Sequence, residues 1–129
     1  MKQRNRIYYA HSGNNPNKSD WQLLSDHLQK VSSIAAENAR YFDGAVLAGI
    51  AGLLHDIGKY TKGFQKRLEG GKRVDHATAG AKIAVKKWGH FGKMLAYIIA
   101  GHHVGLANGI DRGENRSTLN ARLEKIIPE

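Results

Sequence analysis

The sequence has no cysteine. That excludes a disulfide framework and any thiolate-ligated zinc or iron–sulfur site, and it suits a reducing compartment. Long apolar runs are also missing. The longest, Ala45 to Leu54, is interrupted by glycines and falls far short of the ~20 residues a spanning helix needs. Met1-Lys2-Gln3-Arg4 leads into polar sequence without the hydrophobic stretch of a secretory signal. A soluble cytoplasmic protein without membrane association is the expectation. Acidic residues are few: 11 Asp and Glu stand against 20 Lys and Arg, a formal net charge of +9. Such a balance attracts nucleic acid, anionic membrane or acidic partners through a salt-dependent field, or it simply serves solubility.

What the chain has in excess is histidine, seven in 129 residues. The length fits one domain, 1–129, large enough to bury a core without staples. Strand signals are weak, and only Arg6 to Ala10 is a candidate for pairing. Ser19 or Asp20 is placed to cap a helix running to about Phe42, with Trp21, Leu24, Leu28, Val31, Ile34 and Ala35 at helical spacing. Asp43-Gly44 breaks that pattern. A nearly all-apolar helix from Ala45 to about Asp56 reads as the buried centre, ended by Gly58.

Further helices are expected over Lys62 to Leu68, His76 to about Trp88 and Phe91 to His103. Ala77, Gly80, Ala81, Ala84 and Val85 give the second of these a small-residue face. A loop from Gly105 to Gly113 is expected to be mobile or ordered by ligand. Ser117 then caps a last helix with Leu119, Leu123, Ile126 and Ile127 inward. The fold class is an all-α bundle.

Five histidines fall on an inward helix flank or at a helix end. His27 follows Leu24 by three residues and precedes Val31 by four, so it shares a buried flank. His55-Asp56 closes the most apolar helix, His76 opens another, and His102-His103 closes a third. Bundle interiors assemble metal sites from such facing helices. Imidazole plus carboxylate with no thiolate favours Mn, Fe, Co, Ni or Zn over soft-metal sites, Zn being the least expected of the five. The two oxygens of Asp56 allow it to bridge two ions, and two ions ~3.5–4 Å apart can activate water for phosphoester hydrolysis. Each element also has a plainer reading: a hydrogen-bonded core histidine, or a pair that compensates a helix dipole. Their co-occurrence in one short bundle favours the metal. His11 and His90 lack such support and are expected at the surface or in a lid. Lys59 is either a solvated charge or a cation facing phosphate.

Leu54-His55-Asp56-Ile57-Gly58-Lys59 resembles the signature of HD-domain metal-dependent phosphohydrolases. Further stretches narrow the resemblance. Tyr9-Ala10-His11-Ser12, Trp21-Gln22-Leu23-Leu24 and Asp26-His27-Leu28 precede the signature. Phe64-Gln65-Lys66-Arg67-Leu68, Asp75-His76-Ala77-Thr78-Ala79-Gly80-Ala81 and Ala100-Gly101-His102-His103 follow it. Together, from about Tyr9 to Arg122, they resemble the HD nuclease module of the CRISPR-associated nuclease-helicase of type I interference systems.

That resemblance implies a helical HD bundle with a metal site between helices. It implies two divalent transition metals and cleavage of single-stranded DNA, as endonuclease and exonuclease. By the same token His27 and His55 would bind one metal, Asp56 would bridge, and His76, His102 and His103 would hold the second. Lys59 matches the motif lysine and is the candidate for contacting the scissile phosphate. The implied partners are a helicase domain or subunit and the CRISPR surveillance complex. The family pattern includes a later Asp on a more C-terminal helix. Here the acidic residues after His103 are Asp111, Glu114, Glu124 and Glu129, none of them so placed. The chain therefore resembles the front portion of the module, a truncated piece or a minimal form. Two rival readings remain: a nucleotide or cyclic-nucleotide phosphohydrolase, and a catalytically incomplete module that only binds nucleic acid or a partner.

Overall fold

The computed structural model describes residues 6–107 and 118–127. In chain order they form β1 (Tyr9–His11), β2 (Gln22–Leu23), α1 (Leu24–Ala39), α2 (Ala45–Leu54), α3 (Lys62–Leu68), α4 (Ala77–Gly101) and α5 (Leu119–Leu123), with 3-10 turns at Arg40–Phe42 and Ile57–Tyr60. The architecture is helical, with one small antiparallel ribbon. Among the described residues no helix is long and apolar enough to cross a membrane.

The ribbon departs from expectation. Pairing falls on Tyr9–His11, and its partner Gln22–Leu23 comes from sequence expected to be helical; a register irregularity separates Tyr9↔Leu23 from His11↔Gln22. The first helix consequently starts at Leu24, and its preceding residue Leu23 offers no side-chain cap. Asp20 is occupied elsewhere: its carboxylate accepts the backbone N–H groups of Asn14 at 2.7 Å and Asn15 at 3.1 Å. It stabilises the polar turn instead of a helix end.

Helix α2 stops at Leu54, and a 3-10 turn carries the chain onward through Gly58 instead of ending there. A Cβ on Gly58 would collide with the His76 carbonyl. The bare backbone at Gly58 lets the motif turn lie against the start of α4. Helix α3 has the expected bounds and is capped by Thr61, whose hydroxyl accepts the Phe64 N–H.

The two helices expected on either side of residues 89–90 meet at Gly89, where φ is 54° and ψ −125°. This backbone is open to glycine and costly for other residues. The two halves of α4 fold back on each other, with Ile99 against Gly80 and Gly92 against the Ala84 carbonyl. Gly89 lies midway between His76 and His102, so the fold-back returns both histidines to one end of the bundle.

The main core gathers Ala81, Ala84, Leu95, Ala96, Ile99, Ala100 and Leu119, with Leu47, Ile50, Ala51 and Leu54 of α2 packed against it. A smaller cluster of Ala10, Leu24 and Leu28 sits under the ribbon. Helix α5 is capped by Thr118, while the expected cap Ser117 and most of the glycine-rich loop, with Asp111 and Glu114, lie outside the described residues. Leu119 is buried and Leu123 and Ile127 half-buried, but Ile126 is 94% exposed. The helix ends at Leu123, so helical spacing no longer turns Ile126 inward. Buried Arg122 clasps α5 to both halves of α4, donating to the Ala100 carbonyl and, at 3.3 Å, to Thr78 Oγ1.

Candidate metal centre

The site is built around one carboxylate. Asp56 directly follows His55, the residue that caps the C-terminus of α2, and is 3% exposed. Around Oδ2 stand His27 Nε2 at 3.0 Å, His55 Nε2 at 3.2 Å and Lys59 Nζ at 2.8 Å. Around Oδ1 stand His76 Nε2 and His102 Nε2, each at 3.3 Å. His103 Nε2 lies 2.7 Å from His76 Nε2. The imidazoles of His27, His55, His76 and His102 are only 14–20% exposed. Two groups of converging ligand atoms result: His27, His55 and Asp56 on one side, and Asp56, His76, His102 and His103 on the other.

The local folding explains the convergence. α1 packs along α2 and brings His27 beside His55, their Nε2 atoms 3.2 Å apart. The Gly58 turn sets His76 beside the motif, and the α4 fold-back delivers His102 and His103 from the far half. Backbone carbonyls then orient two of the rings. His55 Nδ1–H donates to the Gly52 carbonyl at 2.7 Å, and His102 Nδ1–H donates to the Ile99 carbonyl at 2.6 Å. With Nδ1–H committed to a carbonyl, the neutral ring carries its lone pair on Nε2, the tautomer a metal ligand needs, whereas a proton taken up there donates to Asp56.

The chemistry of this donor set fits divalent cations. Among the described residues, buried Asp56 Oδ1 accepts no well-formed hydrogen bond, although two imidazole nitrogens stand 3.3 Å away. A buried acceptor left unsatisfied beside converging imidazole nitrogens is relieved by a cation. Burial opposes ionisation of Asp56, but the nitrogens of His102, His55 and His76 and the Lys59 ammonium outweigh it. They hold the carboxyl far below its usual range. Burial lowers His27, and the pull of Asp56 only partly offsets it. Burial also lowers His103, with neighbouring His102 acting in the same sense. His55 goes the other way: Asp56 and the Gly52 carbonyl overcome burial and raise it. The neutral form that ligation requires is thus favoured at His27 and His103.

A sequence profile of the HD domain matches residues 24–127. The chain belongs to the HD-domain family. No curated protein sequence matched it significantly. Its HD pair is His55-Asp56, and membership implies a metal-dependent phosphohydrolase with the His/Asp groups just described as the place for the metal.

The HD domain also departs from sequence expectation around this centre. Lys59, expected in solvent or facing phosphate, is 4% exposed; its ammonium is occupied by Asp56 and by the Ala10 carbonyl at 3.2 Å. Of the aromatics near the motif, Phe64 is buried against His76, ring centroids 4.9 Å apart, and offers no face to a base. Tyr60 is 40% exposed and packs edge-on against Tyr8 at 5.1 Å. His90 is exposed. His11 is exposed too, but its ring packs edge-on against His27 at 5.0 Å. The sequence hid this, because the contact depends on the pairing of β1 with residues eleven or more positions along the chain. Gln65, part of the Phe64-to-Leu68 stretch, had no role assigned from sequence, yet it grips both the N–H and the carbonyl of Tyr9.

Proposed function

We propose that this HD domain is a metal-dependent nuclease for single-stranded DNA, cutting internally and from ends, and that it serves CRISPR interference beside a helicase domain or subunit and the surveillance complex. The observation that carries the phosphodiesterase reading is the division of four imidazoles between the two oxygens of a single buried carboxylate. In this reading His27 and His55 would hold one ion, His76, His102 and His103 would hold a second, and Asp56 would serve both. Mn, Ni, Co or Fe suit these ligands. Two such ions, when bound, supply an activated water and charge stabilisation for in-line attack on phosphorus.

The chain's own residues prepare that chemistry. The Gly52 and Ile99 carbonyls keep His55 and His102 in the ligating tautomer. Lys59 balances the Asp56 charge from the interior side, which keeps the buried carboxylate ionised. A direct phosphate contact by Lys59 requires it to leave Asp56 and Ala10. The polymer substrate is supported by the net charge of +9, since strand binding needs phosphate neutralisation. The DNA assignment rests on the resemblance of the motifs from Tyr9-Ala10-His11-Ser12 through Ala100-Gly101-His102-His103.

The test is cleavage of circular single-stranded DNA with Mn²⁺, with Asp56→Ala in parallel. A circle has no ends, so linearisation by the parent and none by the variant is the expected result. Equal cutting by Asp56→Ala would overturn the assignment of the centre. An intact circle together with hydrolysis of mononucleotides or cyclic nucleotides would move the activity to small substrates.

A further inference from the structure

We propose that His11 is a substrate-contacting residue of the Asp56 centre, donating a ring N–H to a phosphoryl oxygen. This rests on reading the centre as a phosphohydrolase site. β1 alternates, with Ala10 1% exposed in the small core and His11 outward. The outward ring packs edge-on against His27, ring centroids 5.0 Å apart and planes at 80°. His27 is half-buried and reaches Asp56, and exposed His11 packs on the ring of His27 beside the cage. It belongs to neither group of converging ligand atoms. A donor at that place is positioned to meet whatever enters, without competing for the ions.

The backbone that presents His11 is held from the motif itself. Gln65 accepts the Tyr9 N–H at 3.0 Å through Oε1 and donates through Nε2 to the Tyr9 carbonyl at 3.0 Å and the Lys59 carbonyl at 2.8 Å. Lys59 Nζ donates to the Ala10 carbonyl at 3.2 Å while also contacting Asp56. The two residues before His11 are thereby tied to the helical turn that carries Asp56. An exposed side chain kept in fixed register with a buried catalytic carboxylate is preorganised for a contact there. Exposed His90, at the bend of α4, has no such tether among the described residues.

The experiment separates the donor from the ring. His11→Phe keeps the edge-on packing against His27 and removes the donor; His11→Gln restores a donor without the ring. Mn²⁺-loaded proteins are compared for metal content, for hydrolysis of bis(p-nitrophenyl) phosphate, and for calorimetric binding of inorganic phosphate. The expected result for His11→Phe is unchanged metal content, kcat/KM lower by about 10²-fold and phosphate bound roughly tenfold more weakly. His11→Gln regains most of both. A Phe variant equal to the parent in both readouts overturns the proposal, because ring packing alone then accounts for His11. Loss of metal from the Phe variant also overturns it, by making His11 a ligand. A parent that binds phosphate through His11 but hydrolyses no phosphodiester overturns the nuclease reading and keeps the phosphate contact. A parent that does neither overturns both.

Discussion

Asp56 is the residue on which the centre turns. Its two oxygens face different pairs of imidazoles, so a side chain without two acceptor oxygens cannot serve both sides. Asp56→Ala is expected to remove metal from both groups, read as metal per chain by elemental analysis after dialysis. Two ions retained by the variant would contradict a bridging carboxylate. Acid should have the same effect more gradually. Ligation needs neutral imidazole, so protons compete with the ions and affinity falls as pH falls through the histidine range near 6.5. Metal per chain measured at two pH values across this range checks the loss; equal occupancy at both would contradict imidazole ligation.

Among the elements, α4 carries the most distinctive constraint. Gly89 holds φ at 54° and ψ at −125°, and a Cβ there would meet nothing within 4 Å. Gly89→Ala therefore tests backbone strain without crowding. It is expected to cost about 1–3 kcal/mol in urea denaturation and to loosen the His76–His102 approach, weakening metal on that side more than on the His27 side. The start of the same helix rests on Asp75. Its Oδ1 accepts the N–H groups of Ala77 and Thr78, both at 3.1 Å. Burial opposes ionisation of Asp75, but the Thr78 contacts, Arg122 and Lys125 outweigh it and lower its pKa. A depressed carboxylate contributes stability above its unfolded value near 3.8, lost as pH falls through the folded value. Asp75→Ala should cost about 0.5–2 kcal/mol at neutral pH and less in acid, where the parent has lost the same contribution. These elements also explain what the sequence could tell. The HD pair, the flank of His27 and the helix-end histidines were legible because periodicity places each on its own helix. The fold-back at Gly89 and the pairing of β1 with Gln22–Leu23 depend on contacts distant in sequence. Asp20 misled because its carboxylate serves the Asn14–Asn15 turn, and Lys59 because a lysine one turn past a motif gives no sign of burial.

Across the whole molecule the decisive property is charge. The chain carries +9, and Lys62, Lys66, Lys72 and Arg73 are exposed in the segment that joins the HD motif to His76. A polymer that lies across such a surface releases counterions; a small phosphodiester that meets only the cage does not. Each phosphate neutralised on a single strand contributes about 0.7 to the slope of log affinity against log salt. A strand engaging about four cations would bind roughly 50-fold more weakly between 50 and 200 mM salt. KM for single-stranded DNA should rise on that scale, while hydrolysis of bis(p-nitrophenyl) phosphate by the same Mn²⁺-loaded protein changes little. Neutralising the four exposed cations together should flatten the DNA salt dependence and leave the small-substrate rate intact. Equal salt dependence for both substrates would confine recognition to the cage and favour a nucleotide-sized substrate.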